Sequence, residues 1–277
     1  MSSSTHSSEQ FLVALVTGGV KGLGRGICHV LAQKGYRIAL TYHSSSDDSE
    51  EMTRELKHIY GADPFAVQSD LTQPGEPKRV AEAVLEHFGR IDLLVNNAGQ
   101  STMNPLIELE EEDIGWMIDL DYKAPILLSK YVARSMIERE IKGSIQFITS
   151  SRGERAYPGD SIYGGMKAAL IRSCGSLALE WAPHGIRTNC IAPGATVNDL
   201  DQDARTEPLG RKIPLGRLGT PSDIGEAVAW LASDQAAYIT GINLRIDGGL
   251  ILPGMPEDTS PEAGYGWGVV YPPKEDK

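Results

Sequence analysis

The sequence predicts an α/β fold: a single domain built on a doubly wound parallel sheet of about seven strands, with helices on both faces. Seven short apolar runs, rich in Val, Ile and Leu, have the composition of strands that are buried on both sides. Amphipathic stretches separate these runs, and such regular strand–helix alternation gives right-handed crossovers and parallel pairing. At 277 residues, the chain has the length of one such domain and can bury a full core.

The predicted strands and helices follow one another along the chain. The strands are the apolar runs at 11–16, 37–42, 64–68, 91–95, 144–149, 186–191 and 242–246. The helices lie near 23–34, 48–60, 75–88, 111–139, 161–182 and 221–233. Gly35 and Pro183 mark the ends of the first and fifth helices. Thr220 followed by Pro221 marks the start of the last helix, as an N-cap with proline in the first turn.

Three segments lie outside this alternation. The first ten residues are Ser-rich and lack the layout of a secretory signal, so we expect a disordered head at 1–10 before the domain at 11–250. The polar stretch 195–216, punctuated by Gly and Pro, is too long for an ordinary connection and predicts a lid. Residues 251–277 form a tail rich in Pro, Gly and aromatic residues, which either covers a pocket mouth or a neighbouring subunit, or is disordered.

The composition excludes several classes of function. The net charge of −11 argues against nucleic-acid binding, which needs a basic footprint. No run of about 18 apolar residues is present, so we expect no membrane span. The three cysteines, Cys28, Cys174 and Cys190, fit neither a disulfide framework nor metal-ligand spacing. We therefore expect core thiols in a reducing compartment, in a cytoplasmic protein without a bound metal.

Directly after the first strand comes the glycine-rich turn TGGVKGLG, which opens a helix. Gly18, Gly22 and Gly24 let the backbone turn tightly and come close to a pyrophosphate. The helix N-terminus then offers N–H groups and the positive end of its dipole. Because the turn lies between a strand and a helix, it predicts a dinucleotide site that also includes Lys21 and Leu23.

The glycine spacing TGxxxGxG resembles that of the short-chain dehydrogenase/reductase family, and further family motifs recur in order over about residues 11–250. They are Asp70-Leu71 after the third strand, Asn96-Asn97-Ala98-Gly99 after the fourth, Ser150 after the fifth, the YxxxK pair Tyr163 and Lys167, and Pro193-Gly194 after the sixth. Within the family, the segment LASDQAAYITGINLRIDGG is similar to glucose dehydrogenases and 3-oxoacyl reductases. The resemblance implies a Rossmann-like domain with a nicotinamide cofactor, bound by the glycine-rich loop and by Asp70, Leu71, Asn97, Ala98, Gly99, Tyr163, Lys167, Pro193, Gly194 and Asn198.

The end of the second strand favours NADP(H) over NAD(H). Family members that prefer NAD carry an acidic residue there, which binds the ribose 2′-hydroxyl. In this chain the position is Tyr42, followed by His43 and Ser44, so that no carboxylate there repels a 2′-phosphate. Lys21, Ser44 and His43 supply charge and donors for such a phosphate. The alternative is that Lys21 is a solvated surface lysine.

Tyr163 and Lys167 are four residues apart on a predicted helix, so their side chains share one face. A lysine ammonium close to a phenol stabilises the phenolate, which lets the tyrosine exchange a proton with a carbonyl or alcohol oxygen as general acid or base. Ser150 ends a central strand thirteen residues earlier, where it can donate a hydrogen bond to the same substrate oxygen. The resemblance adds that Lys167 binds the nicotinamide ribose.

Two positions depart from the family pattern. The family usually has an asparagine in the fourth helix, which holds a water in a proton relay, whereas this chain has Asp121. We include Asp121 among the catalytic residues: a backbone carbonyl can still hold the water, and the extra carboxylate favours the protonated form of Lys167. The threonine that the family often has after the Pro-Gly turn is replaced by Asn198, whose amide can still bond a carboxamide.

The loops around the expected site favour a small polar carbonyl or alcohol as substrate, such as a sugar, a polyol or a keto acid. The lid is polar, and the loop after Ser150 contains Arg152 and Arg155, which either bind an acidic or polyhydroxyl substrate or are solvated. The alternatives are a 3-oxoacyl thioester reductase and a non-catalytic dinucleotide sensor. The helices at 111–139 and 161–182 resemble the family's four-helix interface, which implies a homotetramer or homodimer; otherwise their apolar faces pack only on their own sheet.

Overall fold

A parallel sheet of seven strands forms the centre of the molecule in a computed structural model that describes residues 11–61, 63–101, 103–197 and 209–252. The strands lie in the order β3-β2-β1-β4-β5-β6-β7, and every neighbouring pair is parallel. This confirms the predicted doubly wound sheet. The strands are β1 Val13–Val16, β2 Arg37–Tyr42, β3 Phe65–Gln68, β4 Leu93–Asn96, β5 Ser144–Ile148, β6 Arg187–Pro193 and β7 Asn243–Ile246.

Helices cover both faces of the sheet. They are α1 Gly22–Gln33, α2 Ser46–Tyr60, α3 Glu76–Phe88, α4 Glu111–Ile118, α5 Ala124–Glu138, α6 Ser161–Trp181 and α7 Pro221–Ala232. Alternate residues of β1 point to opposite faces: Val13 and Leu15 belong to the apolar layer under α3, α5 and α6, whereas Ala14 and Val16 belong to the layer under α1, α2 and α7. All four are fully buried, as the continuous apolar run predicts.

The predicted helix over 111–139 is not regular. Between α4 and α5, the chain makes one turn of π-helix at Asp119–Lys123, and the helical path continues through it. A π turn holds an extra residue, which rotates the faces of the two flanking helices relative to each other. Asp121 lies in this turn and is buried.

The carboxyl ends of β1, β4 and β5 meet at one edge of the sheet. The chain order reverses between β1 and β4, and open α/β sheets bind ligands in the crevice at such a switch point. The glycine-rich turn follows β1, the NNAG segment follows β4, and Ser150 follows β5. The topology therefore brings three of the sequence motifs to one crevice.

The last helix begins as predicted. Thr220 and Asp223 form a capping box, in which each side chain accepts a hydrogen bond from the other residue's N–H, at 3.2 and 2.7 Å. The head at 1–10, the middle of the predicted lid at 198–208 and the tail at 253–277 lie outside the described residues. Within the described part, no helix is both long and apolar enough to cross a membrane.

Candidate active site

The glycine-rich loop between β1 and α1 is packed too tightly for side chains. A Cβ on Gly24 would lie 2.0 Å from the carbonyl oxygen of Gly18 and 2.7 Å from Nδ2 of Asn97. Gly18 has a φ of +64°, and its N–H donates to Oγ1 of Thr41 at 3.1 Å. Gly22 and Leu23 stand in the first turn of α1. Among the described residues, this turn contains no acidic side chain, and no N-cap side chain hydrogen-bonds to its N–H groups. This backbone cradle at a helix N-terminus fits a pyrophosphate.

The NNAG segment is bound to the glycine-rich loop by four hydrogen bonds. Oγ1 of Thr17 accepts from the N–H groups of Asn97 and Ala98, both at 2.9 Å. Nδ2 of Asn97 donates back to the carbonyl oxygens of Thr17 and Gly18, at 2.9 and 3.2 Å. The Asn97 amide therefore holds two loops of the predicted cofactor site together. Thr17 was not predicted as a site residue, although its hydroxyl organises both loops.

No carboxylate stands at Tyr42 at the end of β2. The Asp48 carboxylate of α2, however, lies close to Lys21 in the glycine-rich loop. Nζ of Lys21 lies 2.6 Å from Oδ2 of Asp48. The Lys21 hydrogen bond holds the pKa of the Asp48 carboxyl below its usual value. Lys21, His43 and Ser44 were predicted to bind the 2′-phosphate, and the Asp48 carboxylate beside Lys21 was not predicted. Both His43 and Ser44 are exposed there.

Asp70 closes the turn after β3. Its Oδ1 accepts from the N–H and the hydroxyl of Thr72, at 3.1 and 2.7 Å, and these bonds, chiefly the one from the hydroxyl, lower the pKa of Asp70. Leu71 is buried beneath the turn. Nε2 of His43 is 3.9 Å from Oδ2 of Asp70, so the turn lies beside the end of β2. The residues predicted to bind the adenosine part therefore lie together.

Tyr163 and Lys167 stand in the first two turns of α6, beside the end of β5. Lys167 is 4% exposed, and its Nζ donates to the carbonyl oxygen of Ile148 at 3.3 Å and lies 5.2 Å from the centre of the Tyr163 ring. Ser150 is buried directly after β5, and its Oγ accepts from the N–H of Arg152 at 3.1 Å. The predicted tyrosine, lysine and serine thus converge on one end of the sheet.

Asp121 links Lys167 to the NNAG segment. It is 1% exposed, its Oδ1 lies 3.0 Å from Nζ of Lys167, and its Oδ2 accepts from the N–H of Gln100 at 3.3 Å. The contact with Lys167 does not have hydrogen-bond geometry, but Coulomb attraction has no angular requirement and stabilises both charges at this distance. Burial acts to lower the pKa of Lys167, yet the charges of Tyr163 and Asp121 outweigh it, so this pKa is raised.

A second ion pair, partly buried, lies close to Tyr163. Nε and Nη2 of Arg152 donate to Oδ2 and Oδ1 of Asp160, at 2.9 and 2.6 Å. Asp160 is also the N-cap of α6 and accepts from the N–H of Gly164 at 3.2 Å. Burial raises the pKa of Asp160, and the Arg152 hydrogen bonds act in the opposite direction. Asp160 was not predicted as a site residue, although an aspartate directly before a helix is a readable N-cap signal.

The remaining predicted residues lie at the end of β6. Pro193 is buried, and Gly194 lies against the segment after β7, because a Cβ on Gly194 would be 2.7 Å from Cα of Asp247. Asn198 lies outside the described residues. No group of three or more His, Cys, Asp or Glu side chains that could hold a metal occurs among the described ranges. All three cysteines are free and buried, and burial raises the pKa of the Cys28 thiol.

Comparisons with known proteins agree with this fold. A family model described as Enoyl-(Acyl carrier protein) reductase matches residues 18–251. The chain is 37% identical over 243 residues to 3-oxoacyl-[acyl-carrier-protein] reductase FabG of Staphylococcus epidermidis, which covers 86% of this chain and 98% of the relative.

Two solved structures have a similar fold. The crystal structure of acetoin dehydrogenase from Enterobacter cloacae has a TM-score of 0.83 and 34% identity, covering 89% of this chain and 99% of that one. A short chain dehydrogenase from Burkholderia cenocepacia in complex with NADP has a TM-score of 0.78 and 31% identity, covering 85% of this chain and 96% of that one.

Proposed function

The chain belongs to the short-chain dehydrogenase/reductase family of NAD(P)-dependent oxidoreductases, and from that premise we propose that it uses NADP(H) to interconvert a small polar carbonyl and its alcohol, with Tyr163 as the general acid and base. The observation that carries the proposal is the cluster of the half-buried Tyr163 with the buried Lys167 and Asp121 at the carboxyl end of the sheet, next to a loop that fits a pyrophosphate. A non-catalytic dinucleotide sensor has no need of a buried lysine beside a tyrosine.

The nicotinamide, when bound, supplies or accepts the hydride at the substrate carbon. In the reductive direction, the Tyr163 hydroxyl donates its proton to the carbonyl oxygen while negative charge develops there. Ser150 donates a hydrogen bond to the same oxygen. The Lys167 ammonium stabilises the phenolate that remains, and Asp121 keeps Lys167 protonated at a position where burial alone favours the neutral amine. In the oxidative direction, Tyr163 removes the proton from the alcohol.

The preference for NADP(H) rests on the end of β2, where Tyr42 stands in place of an acidic residue. Lys21 would contribute its charge by exchanging its contact with Asp48 for one with the 2′-phosphate. The relative from Burkholderia cenocepacia was solved with NADP. We expect Tyr42→Asp to reverse the ratio of kcat/KM for NADPH over NADH, because the new carboxylate would repel a 2′-phosphate and bind a 2′-hydroxyl. An unchanged ratio in this variant would contradict the cofactor assignment.

The polar character of the substrate is supported by the side chains around Tyr163: Arg152, Asp160 and Ser101 form a polar network on one side of its ring. The structural relative named acetoin dehydrogenase also acts, by its name, on a small polar molecule. A second candidate is a 3-oxoacyl thioester reductase, which is favoured by the 37% identity to a protein of that name.

The test is a steady-state assay of NADPH oxidation and NADP reduction across a panel of sugars, hydroxyketones, keto acids and 3-oxoacyl thioesters. We expect the highest kcat/KM for a small polar carbonyl. Activity on long-chain 3-oxoacyl thioesters with none on polar carbonyls would establish the second candidate instead. Cofactor binding without turnover of any substrate would identify a sensor.

The oligomer that we propose is a homotetramer or homodimer assembled through α5 and α6. Between these helices runs a groove of about 470 Å³ whose lining includes Ile126, Ile137, Leu177 and Trp181. Its apolar floor and charged rim are suited to a second copy of the same face. We expect a mass above that of the 30.0 kDa chain in light scattering, and a monomer would contradict the assignment. Three free, buried thiols support a cytoplasmic location.

A further inference from the structure

Two cations lie close to the Tyr163 ring. Cζ of Arg152 is 4.8 Å from the ring centre, and Nζ of Lys167 is 5.2 Å from it. Both distances are within the range in which a cation is attracted to an aromatic face. Arg152 comes from the short turn after β5, and Lys167 comes from the same helix as the tyrosine. The ring is therefore contacted by positive charge from two separate elements.

Each cation is held by its own buried carboxylate. Asp160 fixes the Arg152 guanidinium with two hydrogen bonds, and Asp121 lies 3.0 Å from Nζ of Lys167. Both carboxylates are nearly inaccessible, with 2% and 1% of their side chains exposed. Pairs that are this deeply buried are screened little by solvent. The charged groups close to Tyr163 are thus two cations, each paired with its own carboxylate.

Three of the five N–H groups of Arg152 are bound to protein acceptors. Its Nε and Nη2 are bound to Asp160, and its Nη1 donates to Oγ of Ser101 at 2.5 Å. Ser101 stands two residues after the NNAG segment, and Asp160 caps the helix that carries Tyr163. The guanidinium therefore joins the loop after β4 to the first turn of α6, with its Cζ 4.8 Å from the centre of the Tyr163 ring.

We propose that Arg152, held in place by Asp160, is a positioning residue for the proposed general acid and base: it fixes the Tyr163 ring and, as a second cation beside Lys167, stabilises the phenolate. A cation is attracted more strongly to an ionised phenolate than to a neutral phenol, so the contact is strongest in the state from which Tyr163 removes a proton. This role rests on the proposed function, because it acts through Tyr163. It assigns a function to a partly buried ion pair that the YxxxK and Ser150 motifs do not include.

The test compares Arg152→Met, which removes the charge, with Arg152→Lys, which keeps a cation but loses the bidentate geometry. We expect Arg152→Met to lower kcat about tenfold, the size of effect that a desolvated cation on a ring provides. KM for NADPH should be unchanged. The pH of half-maximal rate in the oxidative direction should rise in Arg152→Met and return most of the way in Arg152→Lys.

The control is Arg90→Met, because Arg90 and Asp92 form a pair of the same bidentate geometry, with hydrogen bonds of 2.9 and 2.5 Å, in a part of the fold outside the site. This variant should lower the Tm without moving kcat or its pH profile. If Arg152→Met behaves in the same way, Arg152 only supports the fold and the proposal is overturned. A raised KM for the carbonyl with native kcat would also overturn it, since that result identifies a substrate-binding residue.

A measurement without turnover separates this proposal from the proposed function. The ultraviolet absorbance of the Tyr163 phenolate is obtained as the difference between the native protein and Tyr163→Phe during an alkaline titration. Repeated on the Arg152→Met background, the phenolate should appear at higher pH. An unchanged titration contradicts the role of Arg152 even if the enzyme is active. A shifted titration in a protein that turns over no substrate supports the contact and contradicts the proposed function alone.

Discussion

The two halves of the candidate site are built from different physical interactions. The half around the glycine-rich loop consists of backbone and small residues in such close contact that a Cβ on Gly24 would lie 2.0 Å from a carbonyl oxygen. The half around Tyr163 consists of buried charge, with Asp121 and Asp160 each paired with a cation. We therefore expect substitutions in the first half to act through side-chain volume, and substitutions in the second half to act through side-chain charge and the position of the proton.

The largest effect on kcat should come from removing the Tyr163 hydroxyl. Tyr163→Phe removes the proton that is transferred while keeping the ring, so we expect kcat to fall by about 10²- to 10⁴-fold. Cofactor affinity, measured by fluorescence titration with NADPH, should stay near native because the glycine-rich half is untouched. Turnover at the native rate would contradict the assignment of Tyr163.

Gly24→Ala is the corresponding change in the glycine-rich half. The added methyl group would overlap the Gly18 carbonyl and Asn97, so we expect loss of cofactor binding and a decrease of about 3 kcal/mol in the free energy of unfolding. Urea unfolding and NADPH titration measure the two effects. The control is Gly115→Ala on α4, where a Cβ meets no atom within 4 Å and the variant should be more stable by about 0.5–1 kcal/mol.

Asp121→Asn changes charge at nearly constant volume. We expect a loss of about 2 kcal/mol in stability, because a buried ammonium then faces a dipole in place of a carboxylate. The raised pKa of Lys167 fixes the pH dependence. Stability from such a group is complete below the unfolded pKa of about 10.4 and is lost as the pH rises through the folded value.

The difference between Asp121→Asn and the native protein should therefore be largest at neutral pH and shrink in strongly alkaline urea titrations. Asp119→Asn is the matched control, since Asp119 pairs with Lys123 in the same π turn but on the surface. It should cost at most a few tenths of a kcal/mol. Equal losses in the two variants would show that burial does not distinguish the pairs.

A smaller effect than that of Asp121→Asn should come from a half-exposed charge outside both halves. Asp223 caps α7 and binds Arg217, and the Arg217 hydrogen bond is the main cause that lowers the pKa of Asp223 to about 2. Asp223→Asn should cost about 1 kcal/mol near neutral pH. Because a lowered pKa contributes stability above the unfolded value and loses it as the pH falls through the folded value, the Tm difference should disappear between about pH 4 and pH 2.

Most of the fold could be predicted because strands and helices that pack on a core need apolar residues at regular spacings along the chain. The run at 37–42 became β2 with the same bounds, and the last helix begins at the Thr220 cap as expected. The NNAG segment follows a strand and the YxxxK pair lies in a helix, as predicted. The π turn at Asp119–Lys123 was not predicted, because a single extra residue in a helical turn leaves the amphipathic pattern almost unchanged.

The sequence by itself determined the order of strands and helices, the glycine positions at which the backbone must turn, and the reacting pair Tyr163 and Lys167, since all of these depend on local conformation and short spacing. The effect of Asp121 on Lys167 was expected from its place in the family pattern, and the structure adds their distance of 3.0 Å. Only the tertiary structure decided the other charge partners: Asp160 reaches Arg152, and Asp48 reaches Lys21 from a different element. The strength of such pairs depends on distance and burial in three dimensions, and neither is encoded in the spacing of residues along the chain.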